Sequence, residues 1–398
     1  MKNTNQQQNL NFYGLGIAPG ILEILKKIRY LTPTPIQHQS ISIAIQGKDI
    51  VGIAQTGTGK TLAFGIPMIQ RIASTKGLGL VLLPTRELAL QIDSELHKIG
   101  NSLGLKTVVL IGGVPIRPQI ASIRRKPDII IATPGRLIDH LHQKTVNLKN
   151  VNILILDEAD RMLDMGFLPQ IKEILRLVPK ERQTMLFSAT ISPEIMSIAS
   201  ANMKLPIRVE IAPTGTTVDN VSQDIFIVSK EAKVRLLEKI LAQYSGSALI
   251  FTRTKYGAHR IAGTIRQMGY SVAEIHSNRT FPQRKSALSG FKTGQYRVLV
   301  ATDIVARGID VAGIELVINY DLPSQAEDYV HRIGRTARAG MKGQAISFVM
   351  PSEQGEIRAI EWLIRKKLNV STLPEFPSMQ FAKPRLIYSS KRHRRGRR

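Results

Sequence analysis

No cysteine occurs among the 398 residues, which excludes disulfide bridges and thiolate metal sites. Aromatic residues make up only 5% of the chain, with a single tryptophan, Trp362. No apolar run reaches the roughly 18 residues needed to span a bilayer. The opening MKNTNQQQNLNF lacks the apolar stretch of a secretion signal, so a cytoplasmic protein without membrane contact is expected. Acidic side chains are scarce relative to basic ones: 30 Asp plus Glu against 55 Lys plus Arg leave a net charge of +25. Such a field attracts polyanions and makes nucleic acid the first partner to consider. Hydrophobic content of 43% with 21% charged residues is that of an ordinary globular protein, and the length calls for two or three domains, two being the working expectation.

Short β-branched runs alternate with helical stretches, the pattern of parallel sheets with crossover helices. In the first half they are KDIVGIA, LGLVLLP, TVVLIGG, PDIIIAT, VNILILDE and QTMLFSAT; in the second, QDIFIVS, SALIFTR, YRVLVAT, IELVINY and QAISFVM. The two series predict an α/β protein of two similar domains, at 12–204 and 221–372. Between them, 205–220 carries two prolines and a Thr/Gly cluster and reads as a linker; 1–11 reads as a polar N-terminal segment. The last 26 residues, 373–398, hold 8 Lys or Arg against one acid, Glu375, and read either as a solvated disordered end or as an electrostatic RNA tether. Within EIRAIEWLIRKKL, Ile357, Ile360, Ile364 and Leu368 share one face that packs on the second sheet, with Trp362 away from the stripe's centre.

After the first run the chain reads Ala54, Gln55, Thr56, Gly57, Thr58, Gly59, Lys60, Thr61, a strand-to-helix turn whose backbone N–H groups can cradle phosphates. Lys60 is placed to meet the β and γ phosphates of ATP and Thr61 to bind Mg²⁺. The P-loop pattern asks for glycine where Ala54 stands, so a plain glycine turn is the alternative for this segment alone. VNILILDEAD then delivers three carboxylates in four positions to a sheet's carboxyl edge. Asp157 is suited to hold Mg²⁺, partly through water, and Glu158 to orient and deprotonate an attacking water. An acidic helix cap is the competing explanation.

The tetrapeptide Asp157–Asp160, with its neighbours, closely resembles the DEAD-box ATP-dependent RNA helicases, and the resemblance extends over roughly 12–368. It implies two tandem RecA-like parallel-sheet domains with the ATP site in the cleft between them. PTPIQ at Pro33–Gln37, with Phe12 upstream, looks like the family's adenine-sensing motif; Tyr30 and Arg29 replace its usual Phe and Gly. PTREL from Pro84, the pair Gly112 and Gly113, and TPGR from Thr133 resemble its RNA-contacting loops, which implies Arg86, Gly113, Thr133 and Arg136 as contacts to the sugar-phosphate backbone. SAT, with Ser188 and Thr190, resembles the element that couples Asp160 to domain closure.

In the second half, LVATDIVARGID (Leu299–Asp310) and HRIGRTARAG (His331–Gly340) resemble the motifs that complete the ATP site from across the cleft. The resemblance implies Arg335 and Arg338 as arginine fingers, His331 as a coupling residue, Asp310 as a ribose contact, and Thr302 and Arg253 as RNA contacts. Phe281, in place of the usual glutamine three residues before Arg284, and Val305, in place of the common alanine, depart from the pattern; the first puts one RNA or interdomain contact in doubt. His140 and His142 have no partners at zinc spacing. The expected protein is a monomeric, RNA-stimulated ATPase that uses Mg²⁺ and locally separates RNA duplexes or remodels RNA–protein complexes. Single-stranded or short duplex RNA is the partner, with little sequence preference and RNA favoured through its 2′-hydroxyls. Ribosomal and RNP partners are left open. The alternatives are an ATP-gated RNA clamp with slow hydrolysis and a DNA-directed helicase. The compact core looks most like the bacterial RhlE type.

Overall fold

The computed structural model describes residues 11–55, 57–211, 221–303, 314–337 and 343–372. The calls on Thr56, Val305, Asp310, Arg338 and the basic tail lie outside these residues.

The first sheet contains β1 (Ile50–Ile53), β2 (Leu78–Leu82), β3 (Thr107–Leu110), β4 (Ile129–Ala132), β5 (Val151–Leu156), β6 (Gln183–Ser188) and β7 (Ile207–Glu210), in the order β3-β4-β2-β5-β6-β1-β7. The second contains β8 (Val221–Ile227), β9 (Ala248–Phe251), β10 (Val272–Ile275), β11 (Val298–Ala301), β12 (Leu316–Asn319), β13 (Gly343–Val349) and β14 (Asn369–Val370), in the order β10-β11-β9-β12-β13-β8-β14. Every pairing is parallel, and the two orders superimpose strand for strand. The expected two-domain α/β architecture is the observed one.

Helices cover both sheet faces, which is why the strands read as unbroken apolar runs. On β5, Ile153 and Ile155 enter one core with Phe64 and Phe187, while Leu154 and Leu156 enter the opposite core with Leu80 and Leu186. Side chains of period two thus serve two cores from one strand.

Strand β7 lies inside the segment read from sequence as a linker beginning at Leu205. It pairs with β1 from Ile50↔Ile207 to Ile53↔Glu210, so the first sheet runs beyond that boundary. Its only fully buried side chain is Val209; an edge strand needs little apolar character, which gave it the composition of a loop. Buried Asp49 fixes the entry to β7, accepting from the backbone N–H groups of Thr184 and Lys204, each at 2.7 Å.

The duplication extends to the loops. After β2, Thr85 Oγ1 accepts from Leu88 N–H to start the helix Arg86–Gly100; after the equivalent β9, Thr254 Oγ1 accepts from Gly257 N–H to start Lys255–Gln267. Arg86 therefore opens its helix just after the cap, where Lys255 stands in the second domain, while Arg253 precedes the second cap. None of the described helices is long and apolar enough to cross a membrane.

Candidate nucleotide cleft and RNA-facing surface

Strand β1 ends in a loop that opens the helix Lys60–Thr75. Gly57 and Gly59 hold φ near +90°, where a side chain is strained, and a Cβ on Gly59 would fall 2.3 Å from Gln37 Nε2. Gln37 fastens this turn by donating from Nε2 to the Gly59 carbonyl at 2.9 Å, and its Oε1 accepts from Thr34 N–H at 2.9 Å. Thr58 Oγ1 donates to the Gln55 carbonyl at 2.7 Å. The Lys60 ammonium is buried and donates to the Ala54 carbonyl at 3.1 Å. Ala54 acts through its backbone and is not among the positive-φ residues, so glycine is not required there.

Strand β5 lies two strands from β1, across β6, and delivers the acids beside the loop. Asp157 Oδ1 stands 3.9 Å from Lys60 Nζ and accepts from Glu158 N–H at 2.9 Å. Burial pushes the Asp157 carboxyl up to about 6, with Lys60 opposing and the Glu158 charge adding to the rise. Glu158 sits at φ 52°, ψ 50°, an uncommon conformation for a residue with a side chain, and its buried carboxylate lies 3.4 Å from Arg161. Glu158 Oε2 has no hydrogen-bond partner. Asp160 turns the other way. Its Oδ2 accepts from the N–H groups of Ala189 and Thr190, both at 3.0 Å, and from Thr190 Oγ1 at 3.1 Å, while its own N–H donates to Ser188 Oγ at 3.3 Å. The SAT segment is thereby tied to the acidic turn by four hydrogen bonds.

Phe12, Gln37, Gly59, Lys60, Thr61, Asp157 and Glu158 line one cleft of about 340 Å³, and Arg335 enters it from the second domain. Gln91 and Glu95, which the sequence reading did not single out, also line it. The group ATP·Mg²⁺ fits this donor set: a glycine cradle and a buried ammonium for phosphates, and one buried carboxylate beside a threonine hydroxyl, matching a cation that keeps several water ligands.

Arg335 is buried, and its Nε donates to the His331 carbonyl at 3.1 Å within the turn that follows the helix Ala326–Ile333. One turn earlier, Arg332 was not foreseen as a site residue. Its Nε and Nη2 clasp both Asp303 oxygens at 2.6 and 2.7 Å, Nη1 donates to Asn319 Oδ1 and the Asp321 carbonyl, and the guanidinium lies 5.0 Å from the Phe251 ring centre.

A second concavity, of about 390 Å³, gathers Arg86, Gly112, Thr133 and Arg136. A Cβ on Gly113 would fall 1.8 Å from Arg86 Nη1, and φ there is +75°, so this loop is shaped around a guanidinium. Burial, with neighbouring Arg284 and Arg136 adding to it, lowers the Arg86 guanidinium below its ordinary pKa, the electrostatics of a surface that gains by meeting an anion. Arg136 is largely committed inside the protein: Nη1 and Nη2 donate to the Val114 carbonyl at 3.1 and 3.0 Å, which braces the Gly112–Gly113 loop. Arg253 likewise donates to the Leu322 carbonyl at 3.2 Å and to Glu353 at 3.3 Å. Arg253 and Thr302 follow the adjacent strands β9 and β11 and form a separate locus on the second domain.

Arg284 of the second domain reaches this first-domain surface and donates from Nε to Glu87 Oε1 at 2.8 Å. Phe281, the departure from the family pattern, is buried and packs into the first domain's core cluster; at this position it forms an interdomain contact.

Residues 34–198 match the family model described as DEAD/DEAH box helicase, and residues 232–340 the one described as Helicase conserved C-terminal domain. The chain is 42% identical over 362 residues to the ATP-dependent rRNA helicase RRP3 of Debaryomyces hansenii, covering 90% of this chain and 76% of that protein. It is 41% identical over 379 residues to the DEAD-box ATP-dependent RNA helicase CshA of Bacillus cereus, covering 94% and 72%. Among solved structures, S. cerevisiae Dbp5 bound to RNA and ADP BeF3 superimposes with a TM-score of 0.81 at 29% identity, over 91% of this chain and 95% of that one. Mss116p bound to ssRNA and AMP-PNP superimposes with a TM-score of 0.84 at 28% identity, over 94% and 82%. With a DEAD domain and a helicase C-terminal domain in tandem, the chain belongs to the DEAD-box RNA helicases of superfamily 2.

Proposed function

We propose that this RNA helicase hydrolyses ATP when RNA draws its two domains together, and that closure separates short duplexes locally or displaces bound protein. The observation that carries the reading is Arg335 of the second domain lining the same cleft as Lys60, Asp157 and Glu158 of the first. A site divided between domains makes hydrolysis conditional on their approach.

Each residue has a proposed task. Phe12 and Gln37 bind the adenine. The loop Ala54–Thr61 and the Lys60 ammonium hold the phosphates, and Asp157 with Thr61 holds Mg²⁺, whose bound charge neutralises the phosphate oxygens. Glu158 orients water and takes its proton. Arg335 meets negative charge developing on the γ-phosphoryl oxygens, an effect worth roughly 10³–10⁵ in rate for such fingers; by resemblance alone, Arg338 is assigned the same role and Asp310 a hydrogen bond from the ribose. Asp160, Ser188, Thr190 and His331 couple the cleft to closure, a task supported by the four-bond tie between Asp160 and the SAT segment. Arg86, Gly113 and Thr133 meet RNA phosphates and sugars, Arg136 supports their loop, and Arg253 and Thr302 extend the track on the second domain.

Single-stranded RNA as the bound form is supported by its presence in the structurally similar Mss116p complex. Domain limits near 12–204 and 221–372, a monomeric state and a cytoplasmic location belong to the same proposal, with β7 extending the first unit to about Ile211. The finer RhlE-like assignment also stays a proposal; nearly equal identity to a Debaryomyces and a Bacillus protein favours neither a eukaryotic nor a bacterial type.

The deciding experiment is the steady-state ATPase rate with single-stranded RNA, with matched DNA and with neither, in the wild type and Arg335→Ala. Stimulation by RNA alone, lost in the variant, is expected. Hydrolysis equal with RNA and DNA points to a DNA-directed helicase. RNA held tightly after ATP binding, with little strand separation, points to a clamp.

A further inference from the structure

The helix Gln354–Ile364 closes one side of the second sheet with Ile357 and Ile360, both buried. On its outer face stands Trp362, the chain's only tryptophan, 82% exposed. A concavity of about 420 Å³ beside it is lined by Arg358, Glu361, Trp362, Arg365, Lys366 and Lys367.

The charges around the indole are nearly all of one sign. Glu361 is already satisfied: its Oε2 accepts from Lys367 Nζ at 2.6 Å and its Oε1 from Leu368 N–H at 3.0 Å. Arg358, Arg365 and Lys366 make no ion pair among the described residues. Arg365 ends the helix at φ +53°, the left-handed position that glycine takes without strain. Lys366 N–H then donates back to the Glu361 carbonyl at 3.2 Å, so the chain folds over the helix end. That turn gathers consecutive cations next to the indole.

We infer that this surface is an auxiliary RNA site, in which a nucleobase of a single-stranded segment stacks on Trp362 while adjoining phosphates meet Arg358, Arg365 and Lys366. The inference rests on the RNA-helicase reading and adds a contact outside the motifs that carry it. A lone exposed aromatic set among cations matches the combination of base face and phosphate. A protein-binding hot spot would instead need an apolar, desolvated surround, and the neighbours here are charged. Arg253, on the proposed RNA track, binds Glu353, the residue preceding this helix, and the helix carries the platform at its other end, roughly 15 Å away at 1.5 Å per residue, so only RNA that extends beyond the track meets it.

The single tryptophan makes the test direct. Oligoadenylates of increasing length are titrated into the full chain, with indole fluorescence, anisotropy of labelled RNA and RNA-stimulated ATPase measured in parallel. Quenching should begin only above a threshold length. Trp362→Ala should weaken binding of the long oligomer about tenfold, an ordinary loss for one base stack, while leaving short-oligomer binding and ATPase at saturating RNA unchanged. Trp362→Phe should restore most of the affinity. The double variant R358E/K366E should make the salt dependence of long-oligomer binding shallower by about one to two in log–log slope. If RNA stimulates the wild-type ATPase but leaves the indole unquenched, and Trp362→Ala binds every length normally, the platform is overturned and the core reading stands. If no RNA of any length binds or stimulates, both are overturned.

Discussion

Arg284 of the second domain donates its Nε proton to Glu87 of the first across 2.8 Å, with both side chains only 11% exposed. The pair crosses the domain boundary beside Arg86, on the surface proposed to meet RNA, and so joins domain approach to RNA contact. Removing either partner leaves the other charge in a poorly solvated place. Glu87→Ala and Arg284→Ala should each lower RNA-stimulated kcat/KM, and a double-mutant cycle on that quantity should give a coupling of about 0.5–3 kcal/mol. The exchanged pair E87R/R284E should recover part of the loss; additive single effects would show that the contact does not matter to closure.

Gly113→Ala tests the loop shaped around Arg86. Both the positive φ and the 1.8 Å approach of a Cβ to Arg86 Nη1 oppose the methyl group. RNA affinity should fall severalfold with ATP affinity unchanged, since the nucleotide cleft is lined by other residues. Equal loss of both in equilibrium binding would indicate general disruption of the domain.

Glu158→Gln conserves shape and removes the proposed base. Turnover with saturating RNA should fall by about 10²–10⁴ while ATP and RNA still bind. Normal hydrolysis in this variant would remove Glu158 from the mechanism.

His140 gives the fold a pH dependence. Its Nε2 faces Gln119 Oε1 at 3.3 Å, and Thr145 Oγ1 lies 2.7 Å from Nδ1. Gln119 Oε1 can only accept, so Nε2 carries a proton toward it, and Thr145 Oγ1 also donates to the His140 carbonyl at 3.1 Å. Burial, with Arg136 adding to it, holds the imidazole below its ordinary 6.5. The unfolded chain therefore binds more protons as pH drops below 6.5, and stability falls toward the lower folded-state value; it rises with pH through the same window. Urea unfolding midpoints should decline on acidification across that window, and the decline should be shallower in His140→Asn. The same slope in the variant would assign the effect to other groups.

The sequence disclosed most of the architecture because the buried parallel strands had to be apolar on both faces, as at Ile129–Ala132 and Ala248–Phe251. Strands that break this rule escaped. β10 carries Glu274 in a buried place, held by His259, His276 and Arg279, and β7 buries only Val209. The loop motifs were visible because Lys60, Asp157 and Glu158 stand where strands end, a place where chemistry is affordable. What stayed hidden was how distant residues meet. Glu87 was quoted within PTREL and Arg284 as a family marker, but 197 positions separate them and nothing local announces their bond. Nor did spacing reveal that Arg136 is largely taken up by the Val114 carbonyl.

The burial of Arg332 bears on how mutants of this protein should be interpreted. Its guanidinium is enclosed by Asp303, Asn319, the Asp321 carbonyl and the Phe251 ring, and it sets the helix from which the chain continues to Arg335. A survey scored on turnover alone would rank the two arginines together, one for what it touches and the other for where it holds its neighbour. Melting temperature reports on the second role, because loss of Arg332 leaves Asp303 without the guanidinium that clasps both its oxygens.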